Sequence, residues 1–235
     1  MLRIDIISAQ PGMFAGFLSE SIVARAVKKG LCSVATVNLR DFSEGAYGKI
    51  DDKPYGGGPG MLMTCGPWFA ALKSLPPADR IVMTTPAGKP FRQTDAESLS
   101  RAEHVIFMCG HYEGFDARIE TLATDFLSVG DFVMTGGELA AAAMADATVR
   151  LLPGAIGAGA AALSDESFSG AGILEAPQYT KPAVFGDMAV PEVLLSGDHA
   201  KIEAWRKAAA LERTRRFRPD LDGSRRENET EGGGR

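Results

Sequence analysis

The sequence predicts an α/β fold built on a parallel sheet covered on both faces. Three observations carry that expectation. Short β-rich runs alternate with apolar residues at helical spacing along residues 1–150. The run His104–Met108 (HVIFM) is continuously apolar, as a strand buried on both faces requires. Three successive strand-to-helix junctions carry glycine with small polar residues, and such loops gather at the carboxyl ends of parallel strands.

The elements follow in order. Arg3–Ser8 reads as a strand. Phe14, Phe17, Leu18, Ile22, Val23 and Val27 fall at helical spacing across Phe14–Lys29, with Gly30 placed to end the helix. Cys32–Leu39 alternates as a strand, and Arg40–Gly60 is a polar, glycine-rich loop. Pro67–Leu75 reads as a helix and Arg80–Thr84 as a strand. Thr94-Asp-Ala-Glu97 reads as a capping box opening a helix to about Ser100. Asp116–Ala123 is a helix, Asp125–Ser128 a short strand and Gly137–Arg150 an alanine-rich helix. Leu151–Gly186 is rich in Gly, Ala, Ser and Pro with little periodicity, as a linker or lid would be. Asp198 is the expected N-cap of a helix to Glu212, with Ile202, Trp205 and Leu211 on its apolar side, and RTRRFR (Arg213–Arg218) is expected to end the ordered chain. The expected division is an α/β domain over 1–160, a linker or lid over 161–186, a small helical domain over 187–222 and a disordered tail over 223–235.

A chain of 235 residues with 45% apolar and 23% charged content is neither fibrous nor wholly disordered. Its longest apolar stretches, Leu139–Val149 and Leu151–Leu163, are interrupted by Asp146 or by Pro153 and glycines, so no membrane span is expected. MLRIDIISAQPG lacks the apolar run of a signal peptide. The 3 cysteines, Cys32, Cys65 and Cys109, form no disulfide or zinc pattern, which fits a reducing cytoplasm. Net charge is −5, yet residues 199–226 hold 9 Lys+Arg against 4 Asp+Glu. A local basic segment on an acidic body is either a polyanion footprint or a solvated helix face.

The P-loop string and an early Gly-x-Gly-x-x-Gly are absent, as are His-Glu-x-x-His, Gly-x-Ser-x-Gly and Cys-x-x-Cys. The 3 histidines are too scattered for a histidine metal centre, so no metal ligand is assigned. What remains is a set of loops. Asp51–Met61 (DDKPYGGGPGM) packs 4 glycines and 2 prolines into 11 residues, leaving backbone N–H groups open to a nucleotide or phosphate. Thr84–Gly88, Cys109–Asp116 and Ser128–Glu138 each follow a strand and would converge on one ligand, where glycine backbone could bind a purine edge or ribose. Arg150 and the pair Asp165-Glu166 ahead of Ser167-Phe168 are either a general base with an electrostatic partner or solvated acids.

Together, DDKPYGGGPGM, CGHYEGFD, SVGDFVMTGGEL, RLLPG, ESFSG, PQYTKP and SGDHAKIEAWR resemble the bacterial tRNA (guanine-N1)-methyltransferases of the SPOUT class, over about Met1 to Phe217. The resemblance implies a parallel sheet with a C-terminal trefoil knot, plus a small helical C-terminal domain. It implies a homodimer with active sites built from both chains, and transfer of a methyl group from S-adenosylmethionine to N1 of the guanosine immediately 3′ of the anticodon in tRNA, with Mg2+ assisting. Carried over by position, the cofactor residues are Met83, Thr84, Thr85, Pro86 and Gly88; Gly110, Tyr112 and Glu113; and Val129, Gly130, Phe132, Met134, Gly136 and Gly137. The implied substrate contacts are Asp51, Gly57, Gly58, Gly60, Ser196, His199, Trp205 and Arg206. Arg150 matches the family's catalytic arginine. The family's base immediately precedes Ser-Phe, which points to Glu166, with Asp165 the alternative because the loop from Arg150 is one residue longer here. Ala46-Tyr-Gly-Lys49 stands where the family often has a basic, histidine-containing run. Rival readings are a non-catalytic RNA-binding module and a related enzyme acting at another RNA position.

Overall fold

The computed structural model describes residues 1–43, 48–157, 163, 166–170 and 172–222. The chain divides into two compact units, Met1–Gly159 and Ala160–Arg235. Asp165 and the tail from 223 onward lie outside the described residues.

The first unit is organised around five parallel strands, β1 (Leu2–Ser8), β2 (Cys32–Asn38), β5 (Arg80–Pro90), β6 (His104–Cys109) and β7 (Asp125–Ser128), in the order β2-β1-β6-β5-β7. A separate two-stranded ribbon joins β3 (Asp51–Asp52) to β4 (Leu62–Met63). The central strand β6 is buried along its whole length, as its unbroken apolar run predicts. Its alternate residues feed two cores. Val105, Phe107 and Cys109 join Ile4, Ile6 and Val82 beneath α2 (Ser21–Lys28), α4 (Gln93–Ser100) and α5 (Glu138–Val149). Ile106 and Met108 join Ile7, Met83 and Trp68 beneath α3 (Cys65–Ser74). The parallel sheet is therefore covered on both faces, as expected.

Several boundaries differ from the sequence expectation. The helix predicted over Phe14–Lys29 is a 3₁₀ turn at Pro11–Phe14, then α1 (Ala15–Ser19) and α2. The break lies at Glu20, which is extended, and Ser21, whose φ is +62°. Gly16, Ser19 and Ser21 are weak helix formers, so the apolar spacing persists across a backbone that does not. Gly30 adopts φ +69°, the left-handed conformation of a helix stop.

The strand predicted at Arg80–Thr84 continues to Pro90. Thr84 pairs with Leu127, residues 85–88 bulge outward, and Lys89 and Pro90 return to Leu127 and Ser128 of β7. That return needs Gly88: a Cβ there would stand 2.4 Å from the Leu127 amide nitrogen. The capping residue of α4 also shifts. Helix α4 starts at Gln93, so Thr94 is already inside its first turn, and the Asp95 carboxylate accepts the Arg92 N–H at 2.9 Å.

In the second unit, β8 (Val184–Phe185) and β9 (Met188–Ala189) form a hairpin, followed by α6 (Glu192–Leu195) and α7 (His199–Phe217). Asp198 caps α7 as predicted, accepting the Lys201 N–H at 3.2 Å. The helix runs past Glu212 because Ala210 and Thr214 are buried, and Thr214 Oγ1 accepts the Leu174 N–H at 3.0 Å. RTRRFR is thus the last turn of α7 and its cap, and the described chain continues through a 3₁₀ turn at Pro219–Leu221.

Arg80 on β5 grips Asp125 on β7 through Nε at 2.7 Å and through a second, shorter bond from its terminal nitrogen. This guanidinium holds the Asp125 carboxyl below its ordinary range. A depressed carboxylate stabilises the fold above the unfolded value near pH ~4 and loses that contribution as pH falls through the folded value. Asp125→Asn should lower stability at pH 7 by about 1–3 kcal/mol in urea titrations. The deficit relative to wild type should shrink as the pH drops below ~4.

Candidate functional site

The three glycine-bearing corners meet. The loops after β5, β6 and β7 line one cavity of about 180 Å³ at the carboxyl ends of these strands. Thr84, Thr85, Pro86, Gly110, Tyr112, Glu113, Val129, Phe132, Met134, Gly136 and Gly137 all line it, as their placement in the sequence motifs anticipates.

Backbone proximity makes the cavity. The Gly137 N–H donates to the Gly110 carbonyl at 2.8 Å, carrying the chain from β7 at the sheet edge to the tip of β6. A Cβ on Gly137 would fall 2.0 Å from Thr84 Oγ1 and 3.1 Å from Cys109 Cα. Thr84 Oγ1 is itself committed, donating to the Met108 carbonyl at 3.1 Å. His111 and Gly136 form a β-bridge across the cavity. Tyr112 takes φ +59° beside Gly114 at φ +109°, turning the β6 corner sharply, and its hydroxyl accepts from Arg40 at 3.2 Å.

The Asp51–Met61 loop packs on the same corner. Met61 and Met63 exchange backbone hydrogen bonds with Glu113, Gly114 and Asp116 at 2.9–3.0 Å. Gly60 (φ +79°) lies so close to Glu113 that a Cβ would stand 2.3 Å from its Cγ. Asp51 sits half-buried in β3, while Gly57 and Gly58 are exposed with φ of +80° and +127°. Beyond this corner Arg118 holds the Asp116 carboxyl well below the usual carboxylate range.

Three expected cofactor residues are not in the cavity wall. Met83 is buried in the core beneath α3. Gly88 is spent on the approach to β7. Gly130 shapes the turn below Phe132, a Cβ there standing 2.6 Å from the Phe132 ring. His111, Val133 and Thr135, which lie within the expected loops Gly110–Glu113 and Val129–Gly137, also line the cavity. Glu138 carries no sequence signal that sets it apart from a surface acid. It is 1% exposed in the first turn of α5, where its Oε1 accepts from Ser8 Oγ at 2.7 Å. Burial and the Glu138 charge push the Cys109 thiol well up, so Cys109 is no nucleophile at neutral pH.

Residues 2–224 match the family described as tRNA (Guanine-1)-methyltransferase TrmD. The chain belongs to this family. Relatives named tRNA (guanine-N(1)-)-methyltransferase include one from Exiguobacterium sp., 54% identical and covering 94% of this chain and 92% of its own length. Others come from Levilactobacillus brevis, 50% identical over 94% of this chain and 89% of its own, and Deinococcus deserti, 50% identical over 94% and 82%.

Of the remaining positions carried over from the methyltransferase family, Arg150 belongs to the first unit and Glu166, Ser196, His199, Trp205 and Arg206 to the second. Arg150 caps the C-terminus of α5, its N–H bonded to the Asp146 carbonyl at 3.1 Å, and it does not line the cavity. Glu166 is half-buried in the second unit, and its carbonyl accepts from Ser169 Oγ at 2.6 Å. Ser196 Oγ donates to the Val193 carbonyl at 2.7 Å, and His199 opens α7. The Trp205 ring lies 6.4 Å from that of Tyr179, and Arg206 is exposed. Among the described residues, no His, Cys, Asp and Glu side chains group to hold a metal, and no helix is long and apolar enough to cross a membrane.

Gly137→Ala should cost about 1–3 kcal/mol in denaturant unfolding, since Thr84 and the Gly110 backbone leave no room. Gly66→Ala, in the first turn of α3 with nothing near the added carbon, should be neutral or stabilising by up to ~1 kcal/mol.

Proposed function

We infer that this chain transfers a methyl group from S-adenosylmethionine to N1 of the guanosine immediately 3′ of the anticodon in tRNA. The convergence of three glycine-bearing strand tips on one cavity, in a chain of this family, carries the reading. The cavity suits an adenosyl group. Its wall combines apolar side chains (Val129, Phe132, Val133, Met134, Ala140) with bare backbone at Gly110, Gly136 and Gly137. A flat purine fits such a wall, because its ring is held by packing and its edge by backbone donors and acceptors.

Bound there, S-adenosylmethionine supplies a sulfonium methyl carbon, open to displacement by a nitrogen lone pair. The residues of the chain hold the two partners in line, which is worth about 7–11 kcal/mol in favourable cases. Glu166, with Asp165 the alternative, takes the N1 proton of guanine as it is methylated, a contribution of ~10²–10⁴-fold. Arg150 stabilises the negative charge that develops on the base. Asp51, Gly57, Gly58 and Gly60 border the target nucleoside, whose base leaves its stack to react. Among the described residues, no His, Cys, Asp and Glu side chains cluster as a magnesium site would need.

The chain acts as a homodimer with shared sites. The length of α5 supports this. Its 12 residues span about 18 Å, with the cavity-lining Gly137 capping one end and Arg150 the other. An arginine cannot reach back over that distance, so the Arg150 that serves a cavity comes from a second chain. The path of residues 128–137 over the tip of β5, while residues 85–90 return to β7, supports a trefoil knot around the cavity. Residues 187–222 serve as the helical tRNA-binding domain, 161–186 as the linker or lid, and the enzyme works in the cytoplasm, where its tRNA is. Lys201, Lys207, Arg215 and Arg218 each pair with a neighbouring acid, so the net positive face of α7 rests on residues such as Arg206 and Arg216.

Unmodified tRNA incubated with methyl-labelled cofactor should yield 1-methylguanosine at the position 3′ of the anticodon. Glu166→Gln should cut turnover by ~10²–10⁴-fold with cofactor affinity retained; full rates in both Glu166→Gln and Asp165→Asn would overturn the base assignment. The tRNA affinity should fall with salt, and Arg206→Ala with Arg216→Ala should reduce the log–log salt slope by roughly one each, as filter binding would read.

A further inference from the structure

His111 lines the cavity and Glu138 is buried behind it, next to the cavity-lining Gly137, and neither is used by this mechanism. Glu138 Oε1 is satisfied: Ser8 Oγ donates to it at 2.7 Å and in turn accepts the Gln10 N–H at 2.8 Å, so the serine proton is committed to the carboxylate. Glu138 Oε2 stands 3.9 Å from His111 Nδ1. That nitrogen is buried and has no hydrogen-bond partner. The His111 backbone is pinned by its bridge to Gly136 and by its N–H on Met63 Sδ at 3.2 Å, which leaves the ring as the movable part. The glycine at 136 keeps the gap open. A Cβ there would lie 2.3 Å from Glu138 Oε2 and 2.6 Å from His111 Nδ1.

We propose that Glu138 is a positioning residue of the cofactor site that acts through His111, fixing the imidazole as the Nδ1–H tautomer with Nε2 as an acceptor toward the ligand. Two elementary facts support it. A buried N–H without a partner is costly, and a carboxylate oxygen stands 3.9 Å away, a gap that a small ring rotation closes. A neutral imidazole that donates from one nitrogen accepts at the other, so the carboxylate dictates what the ring offers the cavity. The ligand group selected is a hydrogen-bond donor, such as an amino or hydroxyl group. The proposal rests on the reading of the cavity as a cofactor site.

The test uses S-adenosylhomocysteine as a stable probe, isothermal titration and the ¹⁵N imidazole spectrum. The chain has only 3 histidines, and His111→Phe identifies the signal of His111. Wild type saturated with the probe should show the Nδ1–H tautomer at His111. Glu138→Gln, which can offer an N–H to Nδ1, should shift His111 toward the opposite tautomer. Glu138→Gln and His111→Phe should each weaken the probe roughly tenfold, the scale of one hydrogen bond. The double variant should be no weaker than the His111→Phe single. Additive losses, or an unchanged tautomer in Glu138→Gln, would overturn the proposal while leaving the cofactor reading intact. Absence of binding to wild type would overturn both.

Discussion

The Gly137 N–H reaches the Gly110 carbonyl at 2.8 Å, and the cavity depends on that approach. Two main-chain segments from non-adjacent strand tips lie too close for any side chain to intervene. Thr84 fills the remaining space, its hydroxyl turned to the Met108 carbonyl. The wall beside it is therefore peptide rather than side chain, with positions fixed by the sheet. Peptide groups so held lose no side-chain entropy on binding, and rigid strands position them more narrowly than a free loop could. The apolar core beneath, from Val82 through Phe107 to Cys109, is continuous with these corners, so the geometry of the cavity inherits the rigidity of β5 and β6.

The two ends of the sheet treat buried charge differently. At the amino end, Asp5 receives Arg3 and His104, both at 2.7 Å, while the other ring nitrogen of His104 faces the Pro77 carbonyl at 3.1 Å. Every partner is provided within the fold, as a structural network requires. At the carboxyl end, Glu138 is equally buried but only half answered, and His111 Nδ1 is unpartnered. The contrast lies in the partners: Asp5 is fully answered by its own fold, whereas His111 Nδ1 beside the cavity is not.

The strands and the glycine corners were legible because they depend on local signals. HVIFM could only be buried, and glycines at strand tips could only serve close approach or turns. Elements set by tertiary contact were not legible. The extension of β5 depends on Leu127 meeting Gly88, and the break before α2 depends on Ser21 accepting a left-handed φ, neither of which leaves a periodic trace. Membership of a motif also hid orientation. Met83 and Gly130 lie within the expected strings but face the core or a turn, whereas Glu138 in the first turn of a helix reads from sequence as an ordinary surface acid favoured by the helix dipole. Only burial distinguishes it.

Helix α5 fixes the distance between two of these features. It begins beside the cavity at Gly137 and ends at Arg150, and its alanine-rich length packs against the sheet and α4 with Ala141, Met144, Ala145 and Val149 fully buried. So anchored, it can neither bend nor slide to bring its two ends together. The reaction proposed above calls on both the cavity and the Arg150 guanidinium, and this one rod holds them at opposite ends. Sites shared between two copies, as proposed above, would bring the cavity of one and the arginine of the other together.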